Sequence, residues 1–324
     1  MGKRRKGLQV SVVSSSILYS SFIHLNHATS RESVRVRTIH LGQDDRLVAD
    51  SMHRLGLVYK HCRDYPKALK YLEGSLRICK SKLGSSDPQM ADIFHSLGEV
   101  HAALGNVEKS VFCYDKSMKI NIDIHGRNHD RVALDFAGKG KALQLAGQLE
   151  QALEALLGSA DIMKVNKDFA GREESGDVLA QMGSIYSQLG DALSASSSFA
   201  SALTTYKELF GARHTVVADV LQMMADHFVK FKEFERGFSC VKEALALRED
   251  LLGENEIATA DSHYCMGEIL FMWSENYDAM NSFEKCRETY RMKLGDSVLS
   301  VANSDYYLGC ISGGSYNAVS VWAQ

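Results

Sequence analysis

The sequence predicts an all-α chain, a solenoid of antiparallel helix pairs with about six full pairs and partial pairs at both ends. Three observations predict it. A sequence block returns every 42 or 43 residues along the chain. Within each block the apolar residues fall at i, i+3, i+4 and i+7, the spacing of one helix face. Only two prolines, Pro66 and Pro88, occur in 324 residues, as expected of a chain with few breaks in helix.

The N-terminal segment, residues 1–31, stands apart. It has no Asp or Glu, five Lys or Arg and seven Ser. Its run "LQVSVVSSSILYSSFIHL" is too polar for a membrane span. It reads as a disordered tail or, from its acid-poor, Ser-rich composition, as an organellar transit peptide. Residues 32–324 form the repeat region. "SVRVRTIHLGQDD" (33–45) reads as the tail of a second helix whose first helix is absent. "VADSMHRLGLVY" (48–59) then opens the first full pair. It returns as "MADIFHSLGEVH", "SGDVLAQMGSIY", "VADVLQMMADHF", "TADSHYCMGEIL" and "VANSDYYLGCIS". Gly56, Gly98, Gly140, Gly183, Ala225, Gly267 and Gly309 mark one register, with steps of 42 residues except for one of 43.

A second helix follows twelve residues after each small residue. Ala68, Leu72 and Ser75 begin the series, followed by Ser110, Tyr114 and Ser117, and by Ala152, Leu156 and Ser159. Glycine inside a helix costs about 1 kcal/mol relative to alanine, so its recurrence implies a close approach of two backbones that outweighs that penalty. "SGGSYNAVSVWAQ" (312–324) reads as a second helix cut short. The ragged ends leave a fragment, a degenerate array or an imperfect gene model open.

Counting from Ala49, so that the small residue is position 8, each unit has small residues at 8 and 20 and bulky apolar ones at 4, 7, 11 and 24. This pattern resembles the tetratricopeptide repeat. The 42-residue period and the recurring Leu-Gly before the next pair resemble the repeats of kinesin light chains. The family's long heptad segment and its Asn-Asn-Leu-Ala run have no counterpart in the sequence, so the likeness is to that type of repeat rather than to kinesin light chain itself. The resemblance implies a right-handed superhelix whose first helices line a concave groove. It also implies that positions 2, 5, 9 and 12 face the groove: Asp50, His53, Leu57, Lys60, Asp92, His95, Glu99, Lys141, Asp177, Ser184, Asp219, Gln222, Asp226, Asp261, Tyr264, Glu268, Phe271 and Tyr306. The Asp recurring at position 2 is expected to sit in the first helical turn, where it favours the helix dipole. The later copies make the groove acidic and aromatic, which suits a peptide whose basic end lies toward the C-terminal repeats.

Catalytic and cofactor motifs do not emerge. "GKGKAL" (138–143) lacks the spacing of a phosphate loop, and its Gly140 is already a packing residue. Seven scattered cysteines form no CxxC pair, so no zinc ribbon or disulfide framework is expected. His125, His129 and Asp130 in "IHGRNHDR" look like metal ligands. Aligned with "SKLGSSDPQMA" and "ELFGARHTVVA", however, they occupy a loop between two helix pairs. Gly126 is then a helix C-terminal residue, and His129 and Asp130 stand where Asp87 and Pro88 cap the preceding copy. No metal and no cofactor is expected.

The function expected is a non-catalytic protein-interaction scaffold that holds a peptide or a partner protein. An RNA-binding repeat would need a basic stripe, which a net charge of -3 and an acid-rich groove do not provide. A regulatory fragment of a larger enzyme or motor-associated protein is the other class considered. Reduced thiols point to the cytoplasm, or to a mitochondrion or plastid if residues 1–31 are a transit peptide. No integral membrane span is expected.

Overall fold

The computed structural model describes residues 28–82 and 87–313. They divide into two compact units at Asn166 and Lys167. The first unit holds α1 (28–41), α2 (Arg46–His61), α3 (Tyr65–Lys82), α4 (Pro88–Ala103), α5 (Val107–His125), α6 (Asp130–Leu145) and α7 (Leu149–Val165). The second holds α8 (Lys167–Ala170), α9 (Glu173–Leu189), α10 (Ala192–Phe210), α11 (Thr215–Lys230), α12 (Phe234–Leu251), α13 (Ile257–Met272), α14 (Asn276–Leu294) and α15 (Leu299–Ser312). Six helix pairs result, as the repeats require, with α1 and α15 as partial pairs. Residues 1–27 and most of "SGGSYNAVSVWAQ" lie outside the described residues. Residues 28–31, the end of the acid-free segment, are helical.

The register residues explain the pairing. A methyl group placed on Gly56 would meet Leu72 at 2.7 Å, and one on Gly140 would meet Leu156 at 2.7 Å. Gly98 faces the Tyr114 ring at 3.0 Å, Gly183 faces Phe199 at 2.7 Å and Gly267 faces Phe283 at 2.9 Å. Position 8 of every such first helix therefore receives the large side chain at position 24 of its own second helix. Ala225 keeps the pattern with Val241, and both are fully buried. Within each unit every first helix also packs on the first helix of the next pair, as α2 on α4, α4 on α6, α9 on α11 and α11 on α13. Second helices instead pack on the following first helix, as α3 on α4 and α5 on α6. Each stack is therefore tighter along its row of first helices.

The seams hold as the sequence implies. Gly126 ends α5 with φ of 87°, a left-handed value open to glycine. Asp87 caps α4 by accepting a hydrogen bond from the Gln89 amide, with Pro88 as the first helical residue. The seam after α7 is different. Asn166 ends that helix with φ of -103°, and the four-residue α8 follows, its Phe169 fully buried. The one 43-residue step falls here.

Gly140→Ala is expected to lower the unfolding midpoint, because overpacking of about 1–3 kcal/mol exceeds the ~1 kcal/mol that alanine contributes to helix propensity. In the Leu156→Ala background the cost of Gly140→Ala should shrink, because the clash is gone. A double-mutant cycle by thermal unfolding checks this, and strict additivity would rule out the contact as the cause.

Candidate functional site

The expected groove residues all fall on first helices, but the two units use them differently. In the first unit the charges are tied together. Lys60 reaches Glu99 at 2.5 Å, Arg131 reaches Asp92 at 2.5 Å, and Asp50 lies 3.2 Å from Arg54 and 3.5 Å from Arg37. His53 Nε2 lies 3.1 Å from Ser96 Oγ, and His95 Nδ1 lies 2.8 Å from Asp135 Oδ1. Lys141 is exposed on α6.

His53, Asp92 and His95 come together around a cavity of about 320 Å³. Leu57 and Leu134 form apolar parts of its wall, and Ser117, Asn121 and Asp135 also line it. Asp135 is 0% exposed, and its carboxylate accepts hydrogen bonds from Ser117 Oγ at 2.9 Å and from Asn121 Nδ2 at 2.8 Å. Burial opposes a charge on His95, but the hydrogen bond and the charge of Asp135 outweigh it, so the imidazole pKa is raised. Burial lowers the pKa of His53. Sequence reasoning missed Asp135, Asn121, Ser117 and Arg131, because they lie outside positions 2, 5, 9 and 12. One signal was available: position 3 of the seven copies reads Ser51, Ile93, Asp135, Val178, Val220, Ser262 and Ser304, and only one of these is charged.

In the second unit the first helices carry acids and rings. Asp219 pairs with Arg248 at 2.7 Å, and Asp261 accepts from Tyr290 at 2.6 Å, as Asp177 does from Tyr206. Ser184 accepts from Gln188 at 3.3 Å. Gln222 donates to Asp226 at 3.2 Å, and Cys265 Sγ approaches the same carboxylate at 3.4 Å. Glu268 accepts from Tyr307 at 3.0 Å, and Tyr264 meets Tyr307 edge to face. Tyr306 is exposed on α15, whereas Phe271 is buried in the core. Among the described residues no basic group lies within ion-pair distance of Asp226 or Glu268. Burial pushes the carboxyl of each upward, against the hydrogen bonds from Gln222 and Cys265 and the more distant charge of Arg248 in one case, and against those from Tyr307 and Tyr264 in the other. Asp226 keeps an open edge to solvent despite its crowded surroundings.

One expectation changes. The position-2 Asp is not in the first turn. Each helix starts three residues before position 1, so the acid lies in the second turn and the dipole account fails. These acids instead meet basic or hydroxyl partners, and Asp177, Asp219 and Asp261 meet the side chain 29 residues on. At the seam, His129 caps α6 by accepting from the Arg131 amide at 3.3 Å, and its ring stacks on His125 at 4.2 Å. His214 repeats this, stacking on Phe210 at 4.6 Å while accepting from the Val216 amide at 3.3 Å. The two histidines clip one helix end to the next. Among the described residues no group of three or more His, Cys, Asp or Glu gathers as a metal site.

A family model described as tetratricopeptide repeat matches residues 47–121 and 89–164. Residues 47–164 match tetratricopeptide repeats. Solved structures show the same fold. The putative kinesin light chain repeats of Podosopora anserina superpose with a TM-score of 0.57 at 13% identity, over 64% of this chain and 98% of that one. The anaphase-promoting complex hetero-tetramer Cut9–Hcn1 gives 0.60 at 13% identity, over 88% of this chain and 46% of that one. A Rap protein complexed with Competence and Sporulation Factor gives 0.53 at 10% identity, over 90% and 86%. No curated protein matches the chain. The pairing of this fold accounts for the register glycines. Among the described residues no helix is long and apolar enough to cross a membrane.

Glu268 gives the first test of the acidic face. Its folded pKa lies above the unfolded carboxyl value, so the ionised group opposes folding at neutral and alkaline pH, and this opposition disappears as pH falls through the folded value. Glu268→Gln should therefore raise the unfolding midpoint at pH 8 and lose that advantage by about pH 4, near the unfolded carboxyl value. Differential scanning calorimetry at the two pH values checks this, and an equal effect at both would contradict it.

Proposed function

We propose that this chain is a non-catalytic scaffold that binds a protein or peptide along the first-helix row, with a basic stretch of the ligand against the second unit. The observation that carries it is the acidic, aromatic face of α11 and α13. Asp226 and Glu268 lie there outside ion-pair distance of a basic group, beside Tyr264, whereas Asp50, Asp92 and Glu99 of the first unit are tied in ion pairs. An opposite charge brought to such carboxylates recovers what burial removes, and it also speeds encounter. Solved proteins of this fold support the reading. The Rap structure is of a complex with Competence and Sporulation Factor, and Cut9 is seen in a hetero-tetramer with Hcn1. The cysteines of the described residues are all unpaired, which fits a reducing compartment such as the cytoplasm.

Charge reversal tests it. A fluorescent octalysine peptide, measured by anisotropy, should bind the full chain with an affinity that falls steeply with salt. Asp226→Lys together with Glu268→Lys should weaken binding by about tenfold or more and flatten the salt slope. Unchanged binding and slope would remove the reading. Affinity capture with the wild type and the double variant, with and without nuclease, would then name the natural partner and separate protein from RNA.

A further inference from the structure

The cavity of the first unit departs from the pattern of its own repeat. In the three later copies the second-helix residue 29 positions after the recurring Asp serves the seam, whereas the first copy has Cys79 there. Tyr206, Arg248 and Tyr290 each hold the Asp of their own pair. Arg248 also donates to Ser262 of the next pair, at 2.7 Å, as Arg37 does to Ser51, at 2.9 Å. In the pair α4 and α5 that residue is Asn121, too short to do both. Its amide nitrogen turns to Asp135 of the next pair, and Asp92 goes to Arg131 instead. What remains between α2, α4, α5 and α6 is open space.

The lining of that space is rich in acceptors. Asp135 is an anion at a core position where the other six copies have Ser, Ile or Val, and an imidazole is its only basic neighbour within hydrogen-bond reach. Burying a carboxylate without a full cationic partner is costly. Asn121 is 2% exposed, and its Oδ1 accepts no hydrogen bond. Ser96 donates its hydroxyl proton to the Asp92 carbonyl at 2.8 Å, so it accepts from His53 Nε2. That assignment leaves the lone pair of His53 on Nδ1. Arg131, the cation of the rim, is engaged with Asp92. Leu57 and Leu134 supply apolar wall. Leu134 stands where five copies have the recurring Asp.

We propose that this cavity is a socket for a basic side chain, a lysine of the bound peptide, with its methylenes along Leu57 and Leu134 and its ammonium directed to Asn121 Oδ1 and Asp135. It rests on the reading of the first-helix row as the binding face, but it names a separate point of capture. A four-carbon stem with a three-donor head matches apolar walls over an acceptor floor. An anionic guest would find Asp135 and Asp92 against it.

The test uses the full chain labelled with 15N and Nα-acetyl-lysine amide as the probe, with Nα-acetyl-norleucine amide and Nα-acetyl-glutamate amide as controls. The side-chain amide signals of Asn121 and the ring signals of His53 and His95 are followed by NMR. The lysine probe should move them saturably, and the controls should not. Asp135→Asn keeps the shape and removes the charge, and it should weaken the response by about tenfold, the loss of one charge-assisted contact. Asn121→Leu, a second route that leaves Asp135 in place, should also weaken it. Melting curves establish that each variant is folded. No saturable shift with lysine, an equal shift with norleucine or glutamate, or full response in both variants would overturn the socket. None of these outcomes touches the acidic-face reading, which is tested on Asp226 and Glu268.

Discussion

Everything in this chain depends on two helices approaching closely enough for a large side chain of one to lie over a missing side chain of the other. Leu72 over Gly56, Tyr114 over Gly98 and Phe199 over Gly183 are the same contact repeated. It fixes the axial register of each pair, because a shift of even one residue would bring a side chain with a Cβ into a gap that has no room for it. The register in turn fixes which residues reach the first-helix row. A helical glycine, unfavourable on its own, is thus the condition for the surface that binding requires.

The next level of order lies in the seams. Neighbouring pairs are joined by a second-helix side chain that reaches down to its own first helix or up to the next one. Arg37 and Arg248 donate to a serine hydroxyl and to a backbone carbonyl one pair further on, Leu47 and Ala258 respectively. These polar links are directional, and those of Arg248 are largely buried, so they orient one pair against the next more strictly than apolar contact alone. The ring stacks of His125 on His129 and Phe210 on His214 add a second fastening at the loop.

Much of this was legible in the sequence, for a physical reason. Backbone approach admits only Gly or Ala, so position 8 wrote itself into the chain at a fixed step. Capping and left-handed φ are similarly selective, and Asp87, Pro88 and Gly126 could be read in place. The partners of the first-helix acids could not. Asp92 meets Arg131 across 39 residues and Asp219 meets Arg248 across 29, and neither distance follows from the period of a single helix. The error over the position-2 Asp has the same origin. The recurring block suggests a helix start at its own first residue, whereas the chain turns helical two residues earlier, which moves that acid from the dipole's end into contact with the neighbouring helix. Local chemistry is written locally, while pairing across helices is fixed by packing that the sequence shows only indirectly.

A repeat protein also supplies its own control. Seven copies place a residue in the same environment, so the side chain expected at a site is known from the other copies rather than from general tendencies. At position 3 the environment is a buried seam, and the copies fill it with Val, Ile or a serine that accepts a hydrogen bond from a neighbour. An aspartate there gains nothing for packing that serine or valine would not give more cheaply. The structure surrounds it with Ser117, Asn121 and His95, while the neighbouring Asp92 is taken by Arg131. Three separate features, Asp at position 3, Leu at position 2 and an Asn whose Oδ1 accepts no hydrogen bond, fall on one cavity. Independent drift would scatter such changes over the array; their convergence on a single space marks that space as the place where this chain differs in purpose from its own repeat.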